Sequence, residues 1–260
     1  MKKLLILSLI ALLFLPACGQ ASKAQTTAQP ATITTETTEA PTTTEAPAPV
    51  SATMFTVTEH KLPPPNQSFN ADFKAFYDEF TAAVGKKDMR FIDGILDDEV
   101  MSSFGGEPGK EYFHEYWSGQ NLWAALNDII ALGGVYYSRG SERYPSYGNC
   151  FVAPYTYAKF DETGVDAFEH YVVIDKGVPV YAEESVESEV ITKLDYRILA
   201  YHRDNGDLFS KGPEDFVSVT TLTGATGYMQ KQYLRSPMDC RLCIEQKDGE
   251  WKLLWLIAGD

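Results

Sequence analysis

The sequence predicts an α+β protein, and three observations carry that prediction. Apolar residues recur at helical spacing between Phe69 and Leu132. From Val135 onward, short runs of β-branched and aromatic residues replace them. The chain then closes on "CRLCIEQKDGEWKLLWLIAGD", two strand-like runs either side of Asp248-Gly249. Helices first and strands after point to segregated layers.

Two segments of different character precede this body. Lys2 and Lys3 are followed by an apolar run, Leu4 to Leu15, that stops at Pro16. A spanning helix needs about 20 apolar residues, so the run has the length of an export signal. Leu15-Pro16-Ala17-Cys18 resembles the bacterial lipobox, an aliphatic residue and small residues before a cysteine. The resemblance makes residues 1–17 a lipoprotein signal peptide and Cys18 the lipid-attachment residue, its sulfur carrying diacylglycerol. Two or more acyl chains hold a protein stably where one is marginal.

Residues 19–53 are almost all Thr, Ala, Pro, Gln and Glu. They cannot bury enough apolar surface to offset the entropy of ordering, so 18–53 is expected to be a disordered tether. Its span is roughly 30–35 Å if coil-like and at most about 110 Å if extended. The implied location is exported and lipid-anchored to the cell membrane or outer membrane, with the body in the periplasm or outside the cell.

The chain carries 22 basic and 36 acidic residues, for a formal charge of −14; loss of Lys2 and Lys3 leaves 20 against 36, or −16. Such a surface argues against nucleic acid and against docking on anionic lipid. The membrane partner is therefore reached through Cys18.

Residues 54–167 read as an α+β module. Phe69, Phe73, Phe76, Phe80 and Val84 form one helix face, with Lys74, Asp78 and Glu79 turned outward. Ser68 or Asn70 can cap its start and Gly85 can close it. Asp88 is placed to cap a second helix bearing Met89, Ile92, Ile95 and Leu96. "EVMSSFGG" reads as a short strand, "KEYFHEYW" and "NLWAALNDIIALGG" as helices, and "VYYS" and "CFVAPYTYAKF" as strands. This order loosely resembles the nuclear-transport-factor-like α+β cone. If the likeness held, Tyr112, Trp117 and Trp123 would line a small-molecule pocket; as plain aromatics they fill a core.

Residues 168–235 resemble a bacterial SH3-type domain, an SH3-like β-barrel. Val178-Pro179-Val180-Tyr181 fits the first family strand, Ser185 to Glu189 the polar loop, and Val190-Ile191 with Leu194 the next strand. Strands are expected over Leu194–His202 and Asp215–Thr220. Gly227, Tyr228, Met229, Tyr233 and Leu234 match the family ending. Tyr181-Ala182 replaces the usual Arg-Ser pair, and Phe216 and Tyr228 stand where Trp is common. The resemblance implies binding of cell-wall peptide or an envelope protein, since tyrosines offer flat apolar area and a hydroxyl at low entropic cost. Tyr181, Tyr196, Phe216 and Tyr228 are the candidate ligand-binding residues.

Residues 236–260 read as a hairpin turning at Asp248-Gly249. Its second strand is apolar on both faces, which suits a central strand, so it is expected to return to the first module with the SH3-type unit inserted ahead of it. The whole resembles exported bacterial proteins with an SH3-type domain.

Catalytic chemistry finds little support. Cys240-Arg-Leu-Cys243 has metal spacing, but residues three apart on a strand face opposite ways. A cysteine peptidase of the NlpC type would need Cys150 beside His170 or His202, and "GNCFVAP" lacks the Asp-Cys-Ser-Gly signature. His60, His114, His170 and His202 are scattered, and no phosphate loop or GxSxG occurs. No catalytic residue, metal or cofactor is assigned. In an oxidising compartment one disulfide is open to the chain, Cys150 with Cys240 or Cys243.

Overall fold

A computed structural model describes residues 52–259; Cys18 and the tether up to residue 51 lie outside that range. Among the described residues the order is β1 (Phe55–Lys61), α1 (Ala71–Lys86), α2 (Met89–Ile95), β2 (Leu96–Met101), α3 (Lys110–Ser118), α4 (Leu122–Leu132), β3 (Val135–Tyr137), β4 (Cys150–Ala153) and α5 (Tyr155–Ala158). There follow β5 (His170–Val173), β6 (Val178–Tyr181), β7 (Val190–Leu194), β8 (Arg197–Tyr201), β9 (Phe216–Thr220), β10 (Thr226–Gln230), β11 (Leu234–Arg235), β12 (Arg241–Lys247) and β13 (Glu250–Ile257). The protein is mixed α/β.

Local chemistry sets the helix ends. The Asn70 side chain accepts from the Phe73 amide at 2.8 Å, and Asp88 accepts from the Arg90 and Phe91 amides. α1 runs through Gly85, the residue expected to close it, and stops at Lys86. Lys87 then turns left-handed at φ 55° and gives its amide to the last turn. α4 ends at Gly133, φ 66°. Glycine suits that left-handed φ because it has no Cβ to strain.

The strands form two open sheets, β2-β13-β12-β4-β3 and β11-β5-β8-β1-β9-β10-β6-β7. Alternation along the five-stranded sheet decides what covers each face. Phe151, Ala153, Leu242, Ile244 and Leu253 pack against the helices, with Phe73, Phe80, Phe113 and Trp117. Cys150, Val152 and Cys243 point the other way and meet Val172 and Ile198 of the eight-stranded sheet. A bulge between Cys243 and Ile244 shifts the register of β12 with β13, so that Leu254 and Trp255 also join the second of these cores. The eight-stranded sheet has its own core of Phe55, Val57, Val180, Leu199, Val217, Val219 and Met229.

The hairpin β12–β13 turns at Asp248 and Gly249, φ 51° and 88°, the pair of positive angles a two-residue type I′ turn requires. β13 lies inside the five-stranded sheet, hydrogen-bonded to β12 on one side and to β2 on the other. Asp72 ties α1 to this hairpin by accepting from Trp251 Nε1 and Gln246 Nε2.

Three features differ from the sequence reading. The strands of residues 168–235 lie in an open sheet in place of a closed SH3-like barrel. β7 and β8 are consecutive in the chain yet unpaired, because β8 takes β1 and β5 as its neighbours. Secondly, β1 belongs to this sheet although it sits at the head of the first module in sequence; Phe55 and Val57 pair with Tyr201 and Leu199 and fill the eight-stranded sheet's own core. Thirdly, the run "CFVAPYTYAKF" is a strand only to Ala153. Pro154 has no amide to give to a ladder, and Tyr155–Ala158 coils into a helical turn.

Candidate functional site

The inward residues of β6, β9 and β10 fix where their neighbours point. Val180, Val217, Val219 and Met229 are buried, so Tyr181, Phe216, Ser218 and Tyr228 face outward. Tyr228 stands directly opposite Tyr181 on one side and Ser218 on the other, and Gln230 stands opposite Phe216. The Tyr181 and Phe216 rings meet edge to face, centroids 5.9 Å apart. All three aromatics are half-buried, so each is fixed by packing and still shows ring surface to solvent.

Gly227 makes the approach of these strands possible. A Cβ there would collide with Ile191 Cδ1, Val180 Cγ1 and the Tyr181 carbonyl. The edge is polar: Gln230 Nε2 donates to the Glu214 carboxylate at 2.9 Å, and Ser218 Oγ accepts from the Met54 amide at 2.9 Å. Rings beside amide and carboxylate groups suit a ligand that is apolar on its flanks and peptide-like along its length.

Tyr196 does not join the other three. It lies past the end of β7, with φ 49°, and its amide donates to the Asp175 carbonyl at 3.1 Å while its carbonyl accepts from the Leu62 amide at 2.8 Å. That is the far end of the β6–β7 hairpin from Tyr181, since Val178 pairs with Leu194 and Tyr181 with Val190. Ser218 and Gln230 escaped the sequence reading. A two-residue step from Phe216 and from Tyr228 would have found them.

The cysteines separate by face. Cys150 and Cys243 are fully buried in the core between the sheets, whereas Cys240 is half-buried against the helix-side core. All three are free thiols. Burial, and then the hydrogen bond with the Cys150 thiol, push the Cys243 thiol up; burial likewise raises Cys240. Raised thiols are poor nucleophiles. Three of the four histidines serve elsewhere: His170 Nδ1 bonds the Asp166 carbonyl at 2.8 Å, His202 Nε2 bonds Thr56 Oγ1 at 2.8 Å, and His114 sits 3.1 Å from Asp93. Among the described residues no three His, Cys, Asp or Glu side chains gather as a metal site.

No family model matches the chain, and no curated protein or solved structure does. Any reading of function rests on the chain's own residues.

Proposed function

We propose that this is a lipid-anchored protein of the cell envelope that binds cell-wall peptide without catalysing a reaction, using the outer aromatic face of its eight-stranded sheet. The observation that carries the reading is the meeting of Tyr181, Phe216 and Tyr228, each only partly buried, on one face. The resemblance of residues 168–235 to an SH3-type domain, one of sequence and not of a closed barrel, supports the ligand class, and the lipobox-like run ending at Cys18 supports the location. The three tyrosine and phenylalanine rings supply contact area with two χ angles each, so little freedom is lost on binding.

A small-molecule or hydrolytic pocket in the first module has less support. The space between its helices and the five-stranded sheet is occupied by Phe73, Phe80, Phe113, Trp117 and Trp251, as suits a packed core.

Retention on purified cell wall tests the reading. The wild-type chain is expected to sediment with wall at micromolar concentration, and the Tyr181→Ala/Phe216→Ala/Tyr228→Ala chain to stay in solution. Equal retention of the two, or retention of neither, rejects the face as a wall-binding site. Feeding a palmitate analogue should mark the wild-type product and leave Cys18→Ala unmarked; an unmarked wild type removes the anchor.

A further inference from the structure

Away from the aromatic face, a cleft of about 470 Å³ opens at the junction of the helices with the eight-stranded sheet. α4 contributes Asp128, the segment before β5 contributes Phe168, the turns after β8 contribute Arg203 and Phe209, and the link from β11 to β12 contributes Arg235. Phe168 and Arg203 also line an adjoining hollow of about 580 Å³ with Glu169 and Asp204, so the two form one groove. Clefts at such junctions are where ligands preferentially bind.

Three features of the groove point to its occupant. The first is exposed apolar surface: Phe209 is 84% exposed and Phe168 51%. Two phenyl rings on one groove in water are a docking feature and not a packing one. The second is charge. Arg235 is engaged by Asp239 and the Cys240 carbonyl, but Asp128, Glu169, Asp204 and Arg203 lie within ion-pair distance of no partner among the described residues. Three open carboxylates against one open guanidinium, on a chain of net charge −14, favour a cationic ligand.

The third feature is stiffness. Arg241 is 2% exposed and donates to the carbonyls of Met238 at 2.8 Å, Asp239 at 3.3 Å and Gly259 at 2.7 Å. Its guanidinium lies over the Tyr157 ring, 4.9 Å from the centroid. Met238, Asp239 and Gly259 all line the groove, so one buried side chain holds that wall in shape before any ligand arrives.

From this we infer that the groove binds an extended, cationic and amphipathic peptide segment of another protein. An apolar side chain packs on Phe168 and Phe209, and basic side chains meet Asp128, Glu169 and Asp204. A concave groove fits a chain segment better than a flat bilayer, and the acidic surface repels anionic lipid. This site is separate from the aromatic face, and either could exist without the other.

Fluorescence anisotropy on the Cys18→Ala chain, where no acyl chain competes for the groove, tests the inference. The probes are labelled Lys-Leu-Lys-Phe-Lys-Leu-Lys and its counterpart with Glu in place of Lys. The cationic probe is expected to bind at micromolar concentration and the acidic one not to bind. Phe209→Ser, at a side chain too exposed to matter for folding, should weaken the cationic probe about tenfold. Asp128→Lys should weaken it at about 20 mM salt and much less at about 300 mM. Wall retention should be unchanged in both variants. Binding of both probes alike, binding of neither, or indifference to Phe209→Ser overturns the inference. So does sedimentation with phosphatidylcholine vesicles that Phe209→Ser abolishes, since that would make the ligand a membrane surface.

Discussion

In the five-stranded sheet, Leu242 and Ile244 face the helices while Cys243 between them faces the second sheet. In the eight-stranded sheet, Val217 and Val219 face a core while Phe216 and Ser218 beside them face outward and are only half-buried. The same period of two has been put to different ends. A sheet covered on both faces has given the side chains at its centre to packing, and substitutions there report on stability. A sheet with one face partly open keeps side chains whose loss costs little stability and changes what the protein can hold.

Substitution separates the two cases most sharply at their extremes. Ile244 is fully buried, so Ile244→Ala should cost about 3 kcal/mol through lost transfer energy and the cavity left behind. The folded fraction should retain wall as the parent does. Phe216→Ala should do the reverse, lowering stability by no more than about 1 kcal/mol while weakening wall retention. Chemical denaturation run beside wall sedimentation checks both. A weakened wall interaction in Ile244→Ala at concentrations where it is folded would break the division between a structural sheet and a binding one.

Gly227 lies where the two roles meet. It supports the outer face from beneath, and a methyl group there meets Ile191, Val180 and the Tyr181 carbonyl at once. Gly227→Ala should cost about 2 kcal/mol by overpacking and also disturb the Tyr181–Tyr228 pair. Stability and wall retention should therefore fall together, unlike either substitution above. Unchanged stability would mean that β6 and β10 can move apart freely.

Residues whose partners are near in sequence were the legible ones. The spacing of Phe73, Phe80 and Val84, the cap at Asp88 and the Asp248-Gly249 turn each depend on contacts a few residues away and could be read directly, while the first helix's cap was narrowed to Ser68 or Asn70 and proves to be Asn70. β1 was not readable in the same way. "FTVTEHK" shows its alternation, but nothing local says that Phe55 pairs with Tyr201 and Val219 rather than with a strand of its own module. Openness of the sheet was hidden for the same reason, since it follows from β1 and β5 taking the positions beside β8. For the candidate face, Tyr181, Phe216 and Tyr228 shared an outward register that alternation could supply. Tyr196 was misplaced because the chain turns left-handed there, which ends the alternation. Phe168 and Phe209 stand in turns without a period, so their shared groove has no signature in the sequence.

The smallest effect concerns the rim of the five-stranded sheet. β2 pairs with β13 through Leu96 and Met101, with a register shift between, and Lys247 of β12 reaches it with a 2.7 Å bond to Asp97. Burial alone would raise the Asp97 carboxyl, but the Lys247 ammonium and the Glu99 amide outweigh it and hold the group below its ordinary value. Lys247 is raised in turn, first by its hydrogen bond to Asp97. A lowered carboxyl contributes stability above its unfolded value of 3.8 and loses it as pH falls through the folded value. A raised ammonium contributes below 10.5 and loses it as pH climbs past the folded value. The pair is therefore intact across the neutral range. With the Lys247 side chain 44% exposed, water screens much of the attraction, so Asp97→Asn should cost only about 0.5–1 kcal/mol at neutral pH. Urea midpoints of parent and variant should converge as the medium is acidified below the ordinary carboxylate range. A gap that persists there would assign the effect to packing at this rim and leave charge with no part in holding β2 to the sheet.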